Sequence, residues 1–202
     1  MVGLIAFECS GRVRDAFNCL GHDFYSCDLK DSERPLDTKH LKGDVFEALD
    51  PRYDFIGLHP DCTYLCSAGM CQNTAEREEK TRKSVEHVLR LVRWLAENNI
   101  KKWYIENPIG VISTAFRQPD QMIHPYMFGH DASKTTCLWL HGLPRLRSTA
   151  MIPPSYYVRG KPRWGNQGAS GGDRLGKRDR AANRARTYQG IAKAMAAQWG
   201  NT

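Results

Sequence analysis

Residues 54–70, DFIGLHPDCTYLCSAGM, set the apolar run Phe55–Leu58 directly ahead of a polar stretch, His59-Pro60-Asp61-Cys62-Thr63. A short apolar run bounded by polar residues predicts a buried strand. Open α/β sheets carry their chemistry just outside the carboxyl ends of such strands, so a thiol in that place is a candidate reactive group. Residues 101–107, KKWYIEN, repeat the arrangement, an apolar strand pattern discharging into Glu106 and Asn107. A thiol beside one strand end and a carboxylate beside another point to nucleophile-plus-acid chemistry.

The intervening chain shows how the two ends could meet. Residues 72–82 are polar, with Glu76, Glu78 and Glu79 favouring a helix start through the helix dipole. Val85, Val88, Leu89, Val92, Leu95 and Ala96 then recur at three- and four-residue steps, predicting a helix whose apolar face packs on the sheet. Strand, long helix and strand predict a right-handed crossover in a parallel sheet, with both strand ends on one rim.

The chain's beginning has the same character. Residues 2–7 form an apolar run followed by Glu8-Cys9-Ser10-Gly11, and Val13, Ala16, Phe17 and Leu20 mark one face of a short helix. Gly21 ends it, and residues 23–28 form a second strand ending in Asp28. An acid twenty residues after Glu8 sits where a βαβ nucleotide site meets ribose hydroxyls, though a turn with one glycine also fits an ordinary αβ connection. Residues 30–42 read as a charged loop. Asp44-Val45 could place an acid and an apolar contact against an adenine, or Asp44 could simply cap the next turn.

Composition bounds the rest. The 202 residues can bury the core of one domain, and no stretch approaches the roughly 18 apolar residues of a membrane helix. Without a recognisable signal segment a cytoplasmic location is expected. The seven cysteines then read as reduced thiols, and the spacings among Cys62, Cys66 and Cys71 lack a paired zinc knuckle, so no metal is expected. The net charge is +7, and residues 159–186 hold nine of the 29 Lys and Arg against Asp173 and Asp179. A local basic field of this kind attracts a polyanion, although a solvated basic loop has the same composition. Tyr156, Tyr157 and Trp164 interleave with those charges and could stack on bases. Residues 108–131 read as rim loops with a short helix near 109–116. Residues 135–140 read as a strand with Cys137 a core thiol, and 185–199 as a helix burying Ile191, Met195 and Trp199.

Taken together these residues resemble the DNA cytosine-5 methyltransferases, especially their small phage-type members. Phe7-Glu8-x-Ser10-Gly11 is similar to the family's first S-adenosylmethionine motif, Asp28 to its ribose-binding acid, and Asp44-Val45 to its adenine contact. Pro60-Asp61-Cys62-Thr63, with Ser67-Ala68-Gly69, resembles the proline-proline-cysteine-glutamine loop. Glu106-Asn107-Pro108 resembles the glutamate-asparagine-valine motif, and residues 183–197 the final motif. Asp61 and Thr63 depart from the loop pattern, and an extra residue precedes Ser67.

The resemblance implies a Rossmann-like, mostly parallel α/β methyltransferase fold, with S-adenosylmethionine as cofactor and DNA as partner. It also implies the host cytoplasm if the chain is phage-encoded. Cys62 would be the nucleophile, with Cys66 the rival thiol, Glu106 the acid and Asn107 the loop-positioning residue. Phe7, Glu8, Ser10, Gly11, Asp28, Asp44, Val45 and Pro60 would line the cofactor site. Residues 1–145 would form the core and 185–202 a helix packing back on it. Residues 146–184 would be a short basic insert where the family carries a large target-recognition region. Lys134, Arg145, Arg159, Lys161, Arg163, Arg174, Lys177, Arg178 and Arg180 would meet nucleic acid. So short an insert leaves open help from a homodimer partner. It also leaves open an enzyme acting on free pyrimidine nucleotides, or a DNA-binding relative with little catalysis.

Overall fold

The computed structural model describes residues 1–67, 74–167 and 186–201. Strands β1 Val2–Ala6, β2 Asp23–Asp28, β3 His40–Lys42, β4 Phe55–Leu58 and β5 Lys102–Asn107 enter one sheet, with every pairing among them parallel. β6 Gln121–Ile123 and β7 Thr136–His141 complete it in the order β3-β2-β1-β4-β5-β7-β6. Only β7 runs against its neighbours. This is the Rossmann-like, mostly parallel α/β sheet expected from the sequence. Its strand order reverses at β1 and β4, the switch point above whose carboxyl ends open α/β sheets bind their ligands.

Helices cover both faces, which is why β4 is buried along its whole length and reads as unbroken apolar sequence. On one face α1 Arg12–Asn18 and α5 Gln189–Trp199 close over Phe17, Phe24, Phe55 and Tyr104, with Ile191, Met195 and Trp199 facing inward. On the other face α3 Ala75–Glu97 lays Val88, Leu91 and Leu95 on Leu4, Ile56, Ile105 and Trp139. The short helices α2 Val45–Ala48 and α4 Ile112–Ala115 sit at the rim.

Several expectations need correction. Residues 40–42 of the charged segment pair with β2 as an edge strand, because three residues suffice where the neighbour already supplies the ladder. The buried stripe of α3 centres on Val88, Leu91 and Leu95, whereas Ala96 is exposed. The rim loops after Pro108 contain β6, too short to show a period of two. Part of the basic insert also forms structure, a hairpin of β8 Tyr156–Val158 and β9 Lys161–Arg163. Trp164 beside it is 9% exposed and stacks on Tyr126 at 4.1 Å, so its ring is not open to a base. Residues 168–185, with Arg174, Lys177, Arg178 and Arg180, lie outside the described residues, as do Cys71 and Ala68-Gly69.

Candidate active site

The first rim turn begins where β1 ends. Phe7 has φ 61, in the left-handed region that side chains other than glycine seldom adopt. Its ring meets His87 of α3 edge-on at 5.8 Å, and His87 in turn meets Phe46 of α2 at 5.5 Å. Glu8, 4% exposed, turns its carboxylate under the start of α1. It accepts from the backbone N–H of Val13 (2.8 Å) and Arg14 (3.3 Å) and from the Ser10 hydroxyl (3.3 Å). Ser10 Oγ accepts from Arg12 N at 3.4 Å, so the opening donors of α1 are satisfied by this turn rather than by Gly11, its cap residue. Glu8 therefore shapes the turn from beneath.

Below that turn lies a buried ionic group the sequence reading did not identify. Arg14, 2% exposed, bonds Asp37 at 2.6 Å, Asp15 at 2.7 Å and the Ser26 hydroxyl at 2.9 Å. Ser26 continues to His40 Nδ1 at 3.0 Å. The group ties residues 32–40 to α1 and so fixes the wall beside Asp28. Apart from the neighbouring Asp15, the partners lie more than ten residues apart in sequence, so no local spacing reveals them. Asp28 spends one carboxylate oxygen on Lys30 N, 2.9 Å. Asp44 spends one on Phe46 N, 2.9 Å, and is the cap of α2, while Val45 is buried. Among the described residues, the second oxygen of each acid accepts no hydrogen bond.

The Cys62 turn leaves β4 through His59, whose N–H donates to Ala6 O at 3.1 Å. The His59 Nε2 and Tyr104 hydroxyl are 2.6 Å apart, linking the turn to β5 within the core. The buried Asn107 amide donates to Pro60 O at 2.8 Å. Beyond the thiol the two rim segments zip together: Val111 N donates to Leu65 O at 2.9 Å and Ser67 N to Ile109 O at 3.0 Å. Gly110 makes that approach feasible, since a Cβ there would stand 1.8 Å from Leu65 O. Cys66 lies on this zip, bridged to Gly110, whereas Cys62 lies on the open turn before it.

The electrostatics of the thiol follow. Burial pushes Cys62 above the usual thiol range, Cys66, Asp61 and Glu106 push the same way, and Lys134 opposes them. The parallel β4–β5 pairing and the antiparallel β5–β7 pairing bring the Cys62 turn, Glu106 and Lys134, two residues before β7, to one end of the sheet. Arg145 precedes Leu146, which exchanges two hydrogen bonds with the Gln121 side chain at 2.7 and 2.8 Å. Arg159, Lys161 and Arg163 lie on the hairpin. Gly110, two residues after Pro108, is legible in sequence as a breaker, but its close approach to Leu65 is not.

No family model matches the chain, and no curated protein does. Among solved structures the chain is similar to a candidate DNA modification methyltransferase encoded within an E. coli prophage. That match has a TM-score of 0.49 at 14% identity, covering 76% of this chain and 52% of the other. The chain thus spans about half the length of that protein.

Proposed function

We propose that this chain transfers a methyl group from S-adenosylmethionine to carbon 5 of cytosine in DNA through a covalent Cys62 adduct. The observation that carries this reading is the pinning of the Cys62 turn to the end of β5. The Asn107–Pro60 bond and the Leu65–Val111 zip hold the partly buried Cys62 turn, at the end of β4, against the end of β5 that carries Glu106.

The cofactor reading rests on the donor set. In dinucleotide-binding folds the pyrophosphate sits on the first helix N-terminus. Here the Glu8 carboxylate already occupies those N–H groups, which disfavours a phosphate and suits a cofactor without one. Asp28 and Asp44 each offer an oxygen, matched to ribose hydroxyls and to an adenine amino group, and the partly exposed Phe7 offers apolar surface. When bound there, S-adenosylmethionine supplies an electrophilic methyl group to the substrate carbon.

The chain's own residues make that carbon reactive. Cytosine carbon 5 is a weak nucleophile. Sulfur of Cys62 bonds to carbon 6, its proton leaves to solvent, and the ring electrons shift toward carbon 5 and nitrogen 3. Glu106 shares a proton with nitrogen 3 and so stabilises the charge developing there. After carbon 5 is methylated, loss of its proton to water and departure of the thiolate restore the ring. In duplex DNA the base must first leave the stack, at a cost of a few kcal/mol.

Transfer of tritiated methyl groups to cytosine-containing DNA, lost in Cys62→Ala, is the expected result; full activity in that variant contradicts the mechanism. The shortness of residues 146–184 motivates a second reading, modification of a free cytidine nucleotide. Parallel assays with cytidine nucleotides and DNA separate the two.

A further inference from the structure

The hairpin of β8 and β9 is built unlike an ordinary connecting loop. Its two-residue turn, Arg159-Gly160, has φ 49 and φ 73, the doubly left-handed conformation of a type I′ turn. Asn, Asp or Gly normally takes the first of these positions, and a long side chain there is strained. The strained residue is also free of protein partners. Among the described residues, the side chains of Arg159, Lys161 and Arg163 make no hydrogen bond or ion pair, and nothing stands within 4 Å of the Cβ position at Gly160. No acid lies between Tyr156 and Arg163. The ribbon projects into solvent: Tyr157 is 65% exposed and Val158 45%.

Its base, in contrast, is held firmly. Ser155 N donates to Arg163 O at 2.8 Å, and Asp131 accepts from both the Ser155 hydroxyl (2.6 Å) and Gly165 N (2.8 Å). Asn166 and Ser133 exchange two bonds, at 2.9 and 3.0 Å. Trp164 stacks on Tyr126 beneath. Ser133 adjoins Lys134, the cation acting on Cys62, so one short segment carries both the ribbon's anchor and part of the catalytic site.

We propose that this ribbon enters the major groove of duplex DNA with Arg159 leading, and that Arg159 is a residue through which the enzyme selects its target bases. The proposal rests on the DNA reading above and deepens it. Dimensions agree: the major groove is about 12 Å wide and 8.5 Å deep and admits a two-stranded ribbon. Strands about 4.8 Å apart, each rising roughly 3.3 Å per residue, give three-residue arms that span about 10 Å. A guanidinium at the tip matches the paired acceptors of guanine, and Lys161 and Arg163 on the shared strand face match the flanking phosphates.

The test measures binding by fluorescence anisotropy of short labelled duplexes, using the full chain carrying Cys62→Ala to prevent turnover. Arg159→Gly relieves the backbone strain, so its thermal midpoint should not fall. Its affinity for duplexes containing the methylated site should drop on the order of tenfold or more, with the preference among sequences narrowing. Lys161→Ala should lower affinity for all sequences alike and reduce the salt dependence by about 0.9 per lost phosphate contact. Unchanged affinity and selectivity in a folded Arg159→Gly protein overturn the proposal. So does equal loss of binding to single-stranded DNA or RNA, since neither presents that groove. If the ribbon variants lose duplex binding while the Cys62 enzyme methylates nothing, the catalytic reading fails and the ribbon stands. If methylation proceeds with binding unaffected by the ribbon, the reverse holds.

Discussion

The Asn107 side chain donates to the Pro60 carbonyl across 2.8 Å, inside the protein and two residues from the thiol of Cys62. One amide at the end of β5 thereby sets the path of the turn at the end of β4. Asn107→Ala leaves that buried carbonyl unpaired, at a cost of about 1–3 kcal/mol. The turn should loosen, so alkylation of Cys62 by iodoacetamide should quicken while methyl transfer falls. Intact-mass alkylation kinetics, a thermal melt and a methyl-transfer assay on one sample check all three.

Gly110→Ala attacks the same contact from the other side. Its Cβ would have to displace the Leu65 backbone, which cannot yield without parting the zip at Val111 and Ser67. A stability loss of at least about 1–3 kcal/mol is expected, as for an overpacked core, measured by urea unfolding. Gly160→Ala, where the backbone is left-handed at φ 73 and nothing stands near the Cβ position, carries backbone strain without a clash and should cost less than Gly110→Ala.

The thiol's titration has a definite sign. Burial first, then the neighbouring acids, raise Cys62 above the ordinary cysteine value, so its alkylation rate should climb with pH to an inflection above that value. Glu106→Gln removes one opposing charge and should move the inflection down. Lys134→Met removes the favourable charge and should move it up. Methyl transfer by Glu106→Gln should nevertheless fall about 10²- to 10³-fold, because the support for nitrogen 3 is lost. A rate-versus-pH series of alkylation separates these two consequences of one substitution.

Stability in acid should depend on the ionic group beneath the first turn. Burial opposes ionisation of Asp37, but hydrogen bonds from Ser32 and Arg14 outweigh it and hold the carboxyl below its usual range. Its contribution is therefore present above the unfolded carboxylate value, about 3.9, and is lost as pH falls through the lower folded value. Asp37→Asn should lose roughly 1–3 kcal/mol at neutral pH, with Arg14 still held by Asp15 and Ser26. The gap from the unmodified protein should shrink in urea melts carried below the folded value.

Much of this arrangement is legible in the sequence. Apolar runs buried on both faces announce β1, β4 and β5, and the acid-rich start and spaced aliphatics announce α3, because local pattern and tertiary burial agree there. Elements held by long-range pairing are not legible. β3 and β6 have three residues each and exist through their neighbours, and Trp164 reads as an exposed stacking ring until Tyr126, 38 positions earlier, covers it. The same holds within the site: Cys62, Glu106 and Asn107 stand out by type and position, whereas Lys134 joins them only because β7 turns back beside β5.

Mass spectrometry of nucleosides from DNA of cells expressing the chain, beside cells expressing Cys62→Ala, decides whether Cys62 carries cytosine methylation. 5-Methylcytosine is expected with the unmodified chain and none with the variant. Methylation on an exocyclic nitrogen of cytosine or adenine, or 5-methylcytosine that persists in Cys62→Ala, would contradict it.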